Sequence, residues 1–164
     1  MEQVTVKELY NLEETIAQDI FDGVTYPWEV LPKISDYILE LGKQLDESKY
    51  NKVGEEIWIA KSAKVAPTAY IAGPAIIGEN AEIRHCAFIR GKVIVGENAV
   101  VGNSTELKNV ILFNNVPLID LESIIKTNEN PQQKTDQLIS LANANGTAAT
   151  STSWFLAALN AASF

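Results

Sequence analysis

From Ile59 onward the chain places an aliphatic or aromatic residue at every sixth position: Ile59, Val65, Ile71, Ile77, Ile83, Ile89, Val95, Val101, Leu107 and Phe113. Four residues after each stands a mostly small one, in the series Ala63, Ala69, Ala75, Ala81, Ala87, Val93, Ala99 and Thr105. This period is neither the helical one nor the alternation of an ordinary strand. A sustained hexapeptide period predicts a parallel β-helix. Each hexapeptide forms one side of a triangular coil, with the aliphatic inside and the small residue where the chain turns a corner. Three sides make a coil of 18 residues, and coils stack about 4.8 Å apart. Ile59, Ile77, Val95 and Phe113 are then expected in one interior column, Val65, Ile83 and Val101 in a second, and Ile71, Ile89 and Leu107 in a third. The run gives about three coils, a prism roughly 15 Å tall. Its terminal strands lack partners, so its ends need covering.

Ahead of the repeat the apolar spacing turns helical. Thr5 followed by Glu8 reads as a capping box, in which the hydroxyl takes an orphan N–H and the carboxylate reaches back. Leu9, Leu12, Ile16 and Ile20 follow at helical spacing, and Gly23 is the expected stop. Pro32 suits a first helical turn, and Ile34, Tyr37, Ile38, Leu41 and Leu45 make a second stripe. Asp46 to Lys52 reads as a polar linker. These helices are the expected cap for one end of the prism. After Val116 the hexapeptide rule is expected to stop: Leu118, Leu121, Ile124 and Ile125 suggest a short helix or an irregular cap. Residues 143–153 read as a linker, and Trp154 to Leu159 as a short apolar helix. The chain thus divides into a helical segment 1–58, a β-helix 59–116 and a helical or irregular tail 117–164.

Charge sharpens this division. The formal charge of −8 resides in residues 1–58, which net −8, whereas 59–113 net +2 and 114–164 net −2. Nonspecific nucleic-acid binding needs a basic surface and is a poor expectation. The periodic middle is the part suited to an anion. A single cysteine, Cys86, forbids an intrachain disulfide and a Cys-rich metal site, and a single histidine, His85, gives a zinc site little to build on. No apolar run is long enough to span a bilayer, and the start MEQVTVKELY is not a signal peptide. A cytoplasmic protein, with no metal, membrane or nucleic-acid partner, is the expectation.

The 18-residue coil also places chemistry. Arg90 and Lys108 are 18 apart, each directly after an interior aliphatic. They occupy the same slot of successive coils, where an anion between them offsets their repulsion. Two solvated charges diverging into water are the bland alternative. His85 falls in another slot, stacked with Pro67 and Asn103, and reads as a surface or structural histidine, with a general base at a subunit boundary as the alternative. Cys86 reads as a small buried or corner residue.

The repeat resembles the left-handed hexapeptide-repeat superfamily, whose members are mostly acyltransferases. The segments Ala87-Phe-Ile-Arg-Gly91 and Val101-Gly-Asn-Ser-Thr-Glu-Leu-Lys-Asn109 resemble the acetyltransferase half of the N-acetylglucosamine-1-phosphate uridyltransferase/glucosamine-1-phosphate acetyltransferase family and its short UDP-N-acetylglucosamine diphosphorylase-like relatives. The resemblance covers about residues 1–115 and includes Gly23-Val-Thr-Tyr-Pro-Trp28. It implies a left-handed coil, a homotrimer, acetyl-CoA as the acyl donor, and contact of Arg90 and Lys108 with an amino-sugar phosphate. A trimer also suits a prism whose own core is small.

The sequence departs from that family in three places. No Gly-rich nucleotidyltransferase loop precedes the coil. The family's catalytic histidine and nearby tyrosine lie beyond the Lys motif, and here no His or Tyr follows Lys108. The coils that would complete an acyl-CoA site are missing, and residues 137–164 carry no charge and do not resemble the family. The expectation is a hexapeptide-repeat protein that binds an amino-sugar phosphate of the glucosamine 1-phosphate type, with the catalytic segment missing. The alternatives are an acyltransferase with a relocated base, a noncatalytic trimeric scaffold, and a truncated, recombined or engineered chain without small-molecule activity.

Overall fold

A computed structural model describes residues 4–118, and in it the periodic stretch is a parallel β-solenoid of about three coils. The first coil holds β2 (Ile57–Ala60), β3 (Lys64–Val65) and β4 (Tyr70–Ile71). The second holds β5 (Ala75–Ile77), β6 (Glu82–Ile83) and β7 (Phe88–Ile89), and the third β8 (Val93–Val95), β9 (Val100–Val101) and β10 (Glu106–Leu107). β11 (Val110–Leu112) and β12 (Pro117–Leu118) add two further sides. Like sides stack in parallel as three sheets, β2-β5-β8-β11, β3-β6-β9-β12 and β4-β7-β10. The first also carries β1 (Tyr50–Gly54), antiparallel to β2.

The interior columns form as the spacing predicts through the third coil. Ile59 pairs with Ile77 and Ile77 with Val95. Val65, Ile83 and Val101 align, as do Ile71, Ile89 and Leu107. Together with the small residues Ala75, Ala81, Ala87 and Ala99, the members of the second and third coils form one buried cluster, while Val65 in the first coil is exposed. The corners are turned by residues with positive φ, among them Asn80, Asn98, Asn109 and Asn115. Asparagine tolerates the left-handed region better than most residues, and its amide also ties coils together, as Asn114 Oδ1 does in accepting the Glu97 N–H at 2.9 Å.

The column expected to end at Phe113 ends instead at Leu112. β8 pairs with β11 as Val93 to Val110 and Val95 to Leu112, a step of 17 rather than 18 residues. The missing residue is at a corner. Arg90-Gly91-Lys92-Val93 in one coil is matched by Lys108-Asn109-Val110 in the next, and Lys92 (φ 56°) and Asn109 (φ 54°) take the same conformation. Nothing stands for Gly91. The step carries on to β9 and β12, where Val101 pairs with Leu118. Leu118, expected in a helix or cap, is therefore the next inward residue, six after Leu112.

A second core explains where the N-terminal segment goes. In the five-stranded sheet the residue between the two inward ones is also apolar. Ile76, Ile94 and Ile111 point out of the prism, and all three are fully buried. They join Phe21, Val30, Ile34 and Ile38 of the N-terminal segment in a separate cluster. A strand buried on both faces reads as a continuous apolar run, and only this sheet has that triplet. The helical segment thus covers a side of the prism, not the end expected from the sequence. α2 (Ile34–Gln44) lies against β5 and β8 and is the expected second stripe, with Ile34, Ile38 and Gly42 buried.

The first stripe does not make one helix. Only α1 (Val6–Leu9) is α-helical, and 3-10 turns at Leu12–Glu14, Gln18–Phe21 and Pro27–Lys33 follow. Thr5 caps no backbone N–H; its hydroxyl donates instead to Glu8 Oε2 at 3.1 Å. The broken path lets Tyr10 and Phe21 meet Phe113, at ring-centroid distances of 5.3 and 6.0 Å. Phe113 was therefore read one residue out of place: it serves the outer core. The expected linker Asp46–Lys52 is also corrected, because Tyr50 to Lys52 belong to β1, where Tyr50 lies opposite Ala60. The expected C-terminal helices lie outside the described residues.

Candidate functional site

Arg90 and Lys108 sit where the repeat puts them. Ile89 and Leu107 are direct partners in β7 and β10, and the Arg90 N–H donates to Leu107 O at 2.8 Å. The two cations follow those residues on adjacent rungs, and both side chains are exposed. The corner beyond Arg90 needs Gly91, whose φ is 91° and whose missing Cβ would run into the carbonyl oxygen of Gly73.

The spacing did not foresee the neighbours. Arg90 Nη1 donates to Glu106 Oε1 at 2.6 Å, and both side chains are about half exposed. The guanidinium also lies 5.7 Å from the ring centroid of Phe88. Phe88 pairs directly with Glu106 and with Tyr70, and the Tyr70 and Phe88 rings meet edge-on at 5.5 Å. The outer face of the three-stranded sheet therefore carries an aromatic pair, an ion pair and a second cation. Its signal in the sequence was the residue just before each inward aliphatic of that side: Tyr70, Phe88 and Glu106. Beside Lys108, the Asn109 Oδ1 is buried with no hydrogen-bond partner among the described residues.

An exposed ion pair is worth about 0–1 kcal/mol. Glu106 therefore holds Arg90 loosely, and a dianion offering two oxygens to a guanidinium competes well with it. For acyl transfer a base must reach the acceptor amine, and within this face Glu106 is the titratable acid, engaged with Arg90.

His85 and Cys86 lie elsewhere, on the corner between β6 and β7. His85 is exposed, and its Nδ1 is 3.0 Å from Thr68 Oγ1. The same oxygen accepts the Cys86 N–H at 3.1 Å. Of the two readings of Cys86, the structure supports the corner and not the buried residue: it turns the corner with φ 59° and is exposed. The structure does not bring His85 to Arg90 and Lys108 through any shared contact. Among the described residues no cluster of His, Cys, Asp and Glu has metal-ligand geometry, and no helix is long and apolar enough to cross a membrane. Comparison of the chain with family models, curated proteins and solved structures finds no match.

Proposed function

We propose that this chain is a left-handed hexapeptide-type solenoid that binds a phosphorylated amino sugar at Arg90 and Lys108 and does not transfer an acyl group. The observation behind the reading is the rung geometry: two cations on adjacent rungs of one face, one of them held only by an exposed carboxylate. The phosphate bridges the rungs and displaces Glu106 from Arg90. The left hand and the sugar come from the motif resemblance. The reading is confined to binding, because within this sequence the residues after Lys108 include no His or Tyr for the base that the resemblance implies, and acetyl-CoA has no role in it. Isothermal calorimetry with glucosamine 1-phosphate tests it. Saturable heat that is lost in Arg90→Ala and Lys108→Ala supports the site. Absence of heat, or equal affinity in Lys108→Ala, removes it.

A homotrimer is a second reading, favoured by one observation. Tyr70 and Phe88 are 62% and 40% exposed on the same flat face, and exposed aromatics beside an arginine are the residues that dominate interfaces. The five-stranded face is covered by the chain's own helices, so copies would meet through the three-stranded face that carries these rings. Sedimentation should give a trimer in the wild type and a monomer in Phe88→Asp. A wild-type monomer at micromolar concentration contradicts the trimer and leaves the anion site within one chain.

A further inference from the structure

The four-stranded sheet carries a separate feature, a shallow depression of ≈ 260 Å³ with Lys64, Glu82, Arg84 and His85 in its lining. Its position follows from the coil. Lys64 of β3 stands opposite Glu82 of β6, and the next outward residue of the lower rung is the small Ala66, which leaves room beside Arg84. Val65 and Ile83 also border it but turn their side chains into the prism, so Ala66 is its outward apolar residue.

The polar groups in this depression are mostly donors. Arg84 Nε donates to Glu82 Oε1 at 2.9 Å. This bond fixes the guanidinium from its inner nitrogen, so Nη1 and Nη2 have no partner among the described residues. Glu82 is the one acid in the lining, and it is already engaged. Lys64 makes no ion pair among the described residues. Thr68 Oγ1 accepts the Cys86 N–H and lies 3.0 Å from His85 Nδ1.

We infer that this depression binds the phosphate group of a small phosphate ester, independently of Arg90 and Lys108. A guanidinium with both terminal nitrogens free suits two oxygens of a tetrahedral oxyanion, and an ammonium on the next rung supplies a point charge to a third. Lys64 stands opposite Glu82 and is diagonal to Arg84, so their backbones are about 7–8 Å apart, and the two long side chains close around one phosphate. The apolar lining beside the donors accepts a short carbon stem. The volume falls below the roughly 300–1,000 Å³ of pockets for drug-sized ligands, so the depression itself is sized for the phosphate and a short stem.

His85 is the only histidine in the chain, so its ring proton resonances report this site alone. The test follows them by NMR at fixed pH while the full-length protein is titrated with inorganic phosphate, with glycerol 3-phosphate, and with sodium chloride at matched ionic strength. The expected result is a saturable shift with both phosphates, with an affinity of about millimolar. The ester should bind at least about threefold tighter, because only it uses the apolar lining. Lys64→Ala and Arg84→Gln should each weaken binding at least about fivefold, with urea midpoints checked for folding, and Arg90→Ala should change nothing. A shift that chloride reproduces, or one that survives Arg84→Gln unchanged, overturns the site. Equal affinity for the two phosphates overturns its assignment to an ester.

Discussion

Replacing Gly96 by alanine should unfold the solenoid more readily, and the structure sets the size of the effect. Gly78 and Gly96 follow the inward residues Ile77 and Val95 at one corner and stack on each other. A Cβ on Gly96 would lie 2.5 Å from the Phe113 carbonyl carbon and 2.6 Å from the Asn114 nitrogen. Both are backbone atoms, so no side chain can swing away. The upper rung must lift by about half an ångström before the closest of these contacts reaches even 3.0 Å. That movement stretches the Gly96 N–H to Leu112 O bond, now 2.9 Å, and the Glu97 N–H to Asn114 Oδ1 bond, also 2.9 Å. Overpacking costs about 1–3 kcal/mol, and a weakened hydrogen bond adds roughly 0.5–1.5 kcal/mol. Alanine returns about 0.4–1 kcal/mol by restricting the unfolded chain. The net expectation is about 2 kcal/mol of destabilisation, or a urea midpoint lowered by about 1 M for an ordinary slope. Gly54→Ala is the control, because its Cβ would meet only Ile57 Cδ1, at an acceptable 3.4 Å. Equilibrium urea unfolding followed by circular dichroism reads both. A Gly96→Ala midpoint within error of wild type would refute the close stacking of the last two rungs.

Further expectations follow from the two cores, the corners and the tyrosines. Ile94→Ala, on the outer side of the prism, should cost about 3 kcal/mol in urea unfolding; a loss below about 1 kcal/mol would mean that the N-terminal helices do not cover that sheet. Lys92→Asn should stabilise by about 0.5 kcal/mol, because Lys92 holds φ 56° where asparagine is the better fit and Asn109 already fills the equivalent corner; destabilisation would place the corner elsewhere. Burial pushes the Tyr10 and Tyr50 hydroxyls up to about 12 from an ordinary 10. Since the unfolded chain ionises first, this contribution is complete below pH 10 and is lost between about 10 and 12. Tyr50→Phe should accordingly flatten the fall of stability over that window, and an unchanged alkaline slope would count against its burial.

What the sequence made legible is what repeats. Inward positions recur at a fixed interval, so the coil, its columns and the alignment of Arg90 with Lys108 were readable from spacing alone. The 17-residue coil was not, because Phe113 is as apolar as Leu112 and keeps the period of six alive for one more step. Only the corners betray the loss: a glycine precedes Lys92, and none precedes Asn109. The place of the helices was legible in retrospect, in the triplets Ala75–Ile77, Val93–Val95 and Val110–Leu112, whose middle residue is apolar on this side only. The breaking of the first helix was not, because its apolar residues keep helical spacing although they serve a contact with Phe113 that is far away in sequence. At the candidate site, Glu106 and Phe88 were not legible because the 18-residue spacing aligns Arg90 with Lys108 but does not say which outward neighbour the guanidinium engages. The Arg84 depression depends on which nitrogen Glu82 engages, and no sequence pattern carries that.

The alignment of Arg90 with Lys108 on neighbouring rungs is the claim on which the anion site depends, and a cross-link measures it directly. Rungs about 4.8 Å apart fall within the Cα separation of about 4.4–6.8 Å that a disulfide spans. The protein would carry Cys86→Ser, a change suited to a corner that Ser104 already fills one coil higher with φ 55°, together with Arg90→Cys and Lys108→Cys. Mild oxidation should form an intramolecular disulfide, read by mass and by loss of titratable thiols. The same background with Phe88→Cys and Lys108→Cys, two positions out of register, should keep both thiols free. Free thiols in the first protein and a cross-link in the second would show that the coil does not bring Arg90 and Lys108 together.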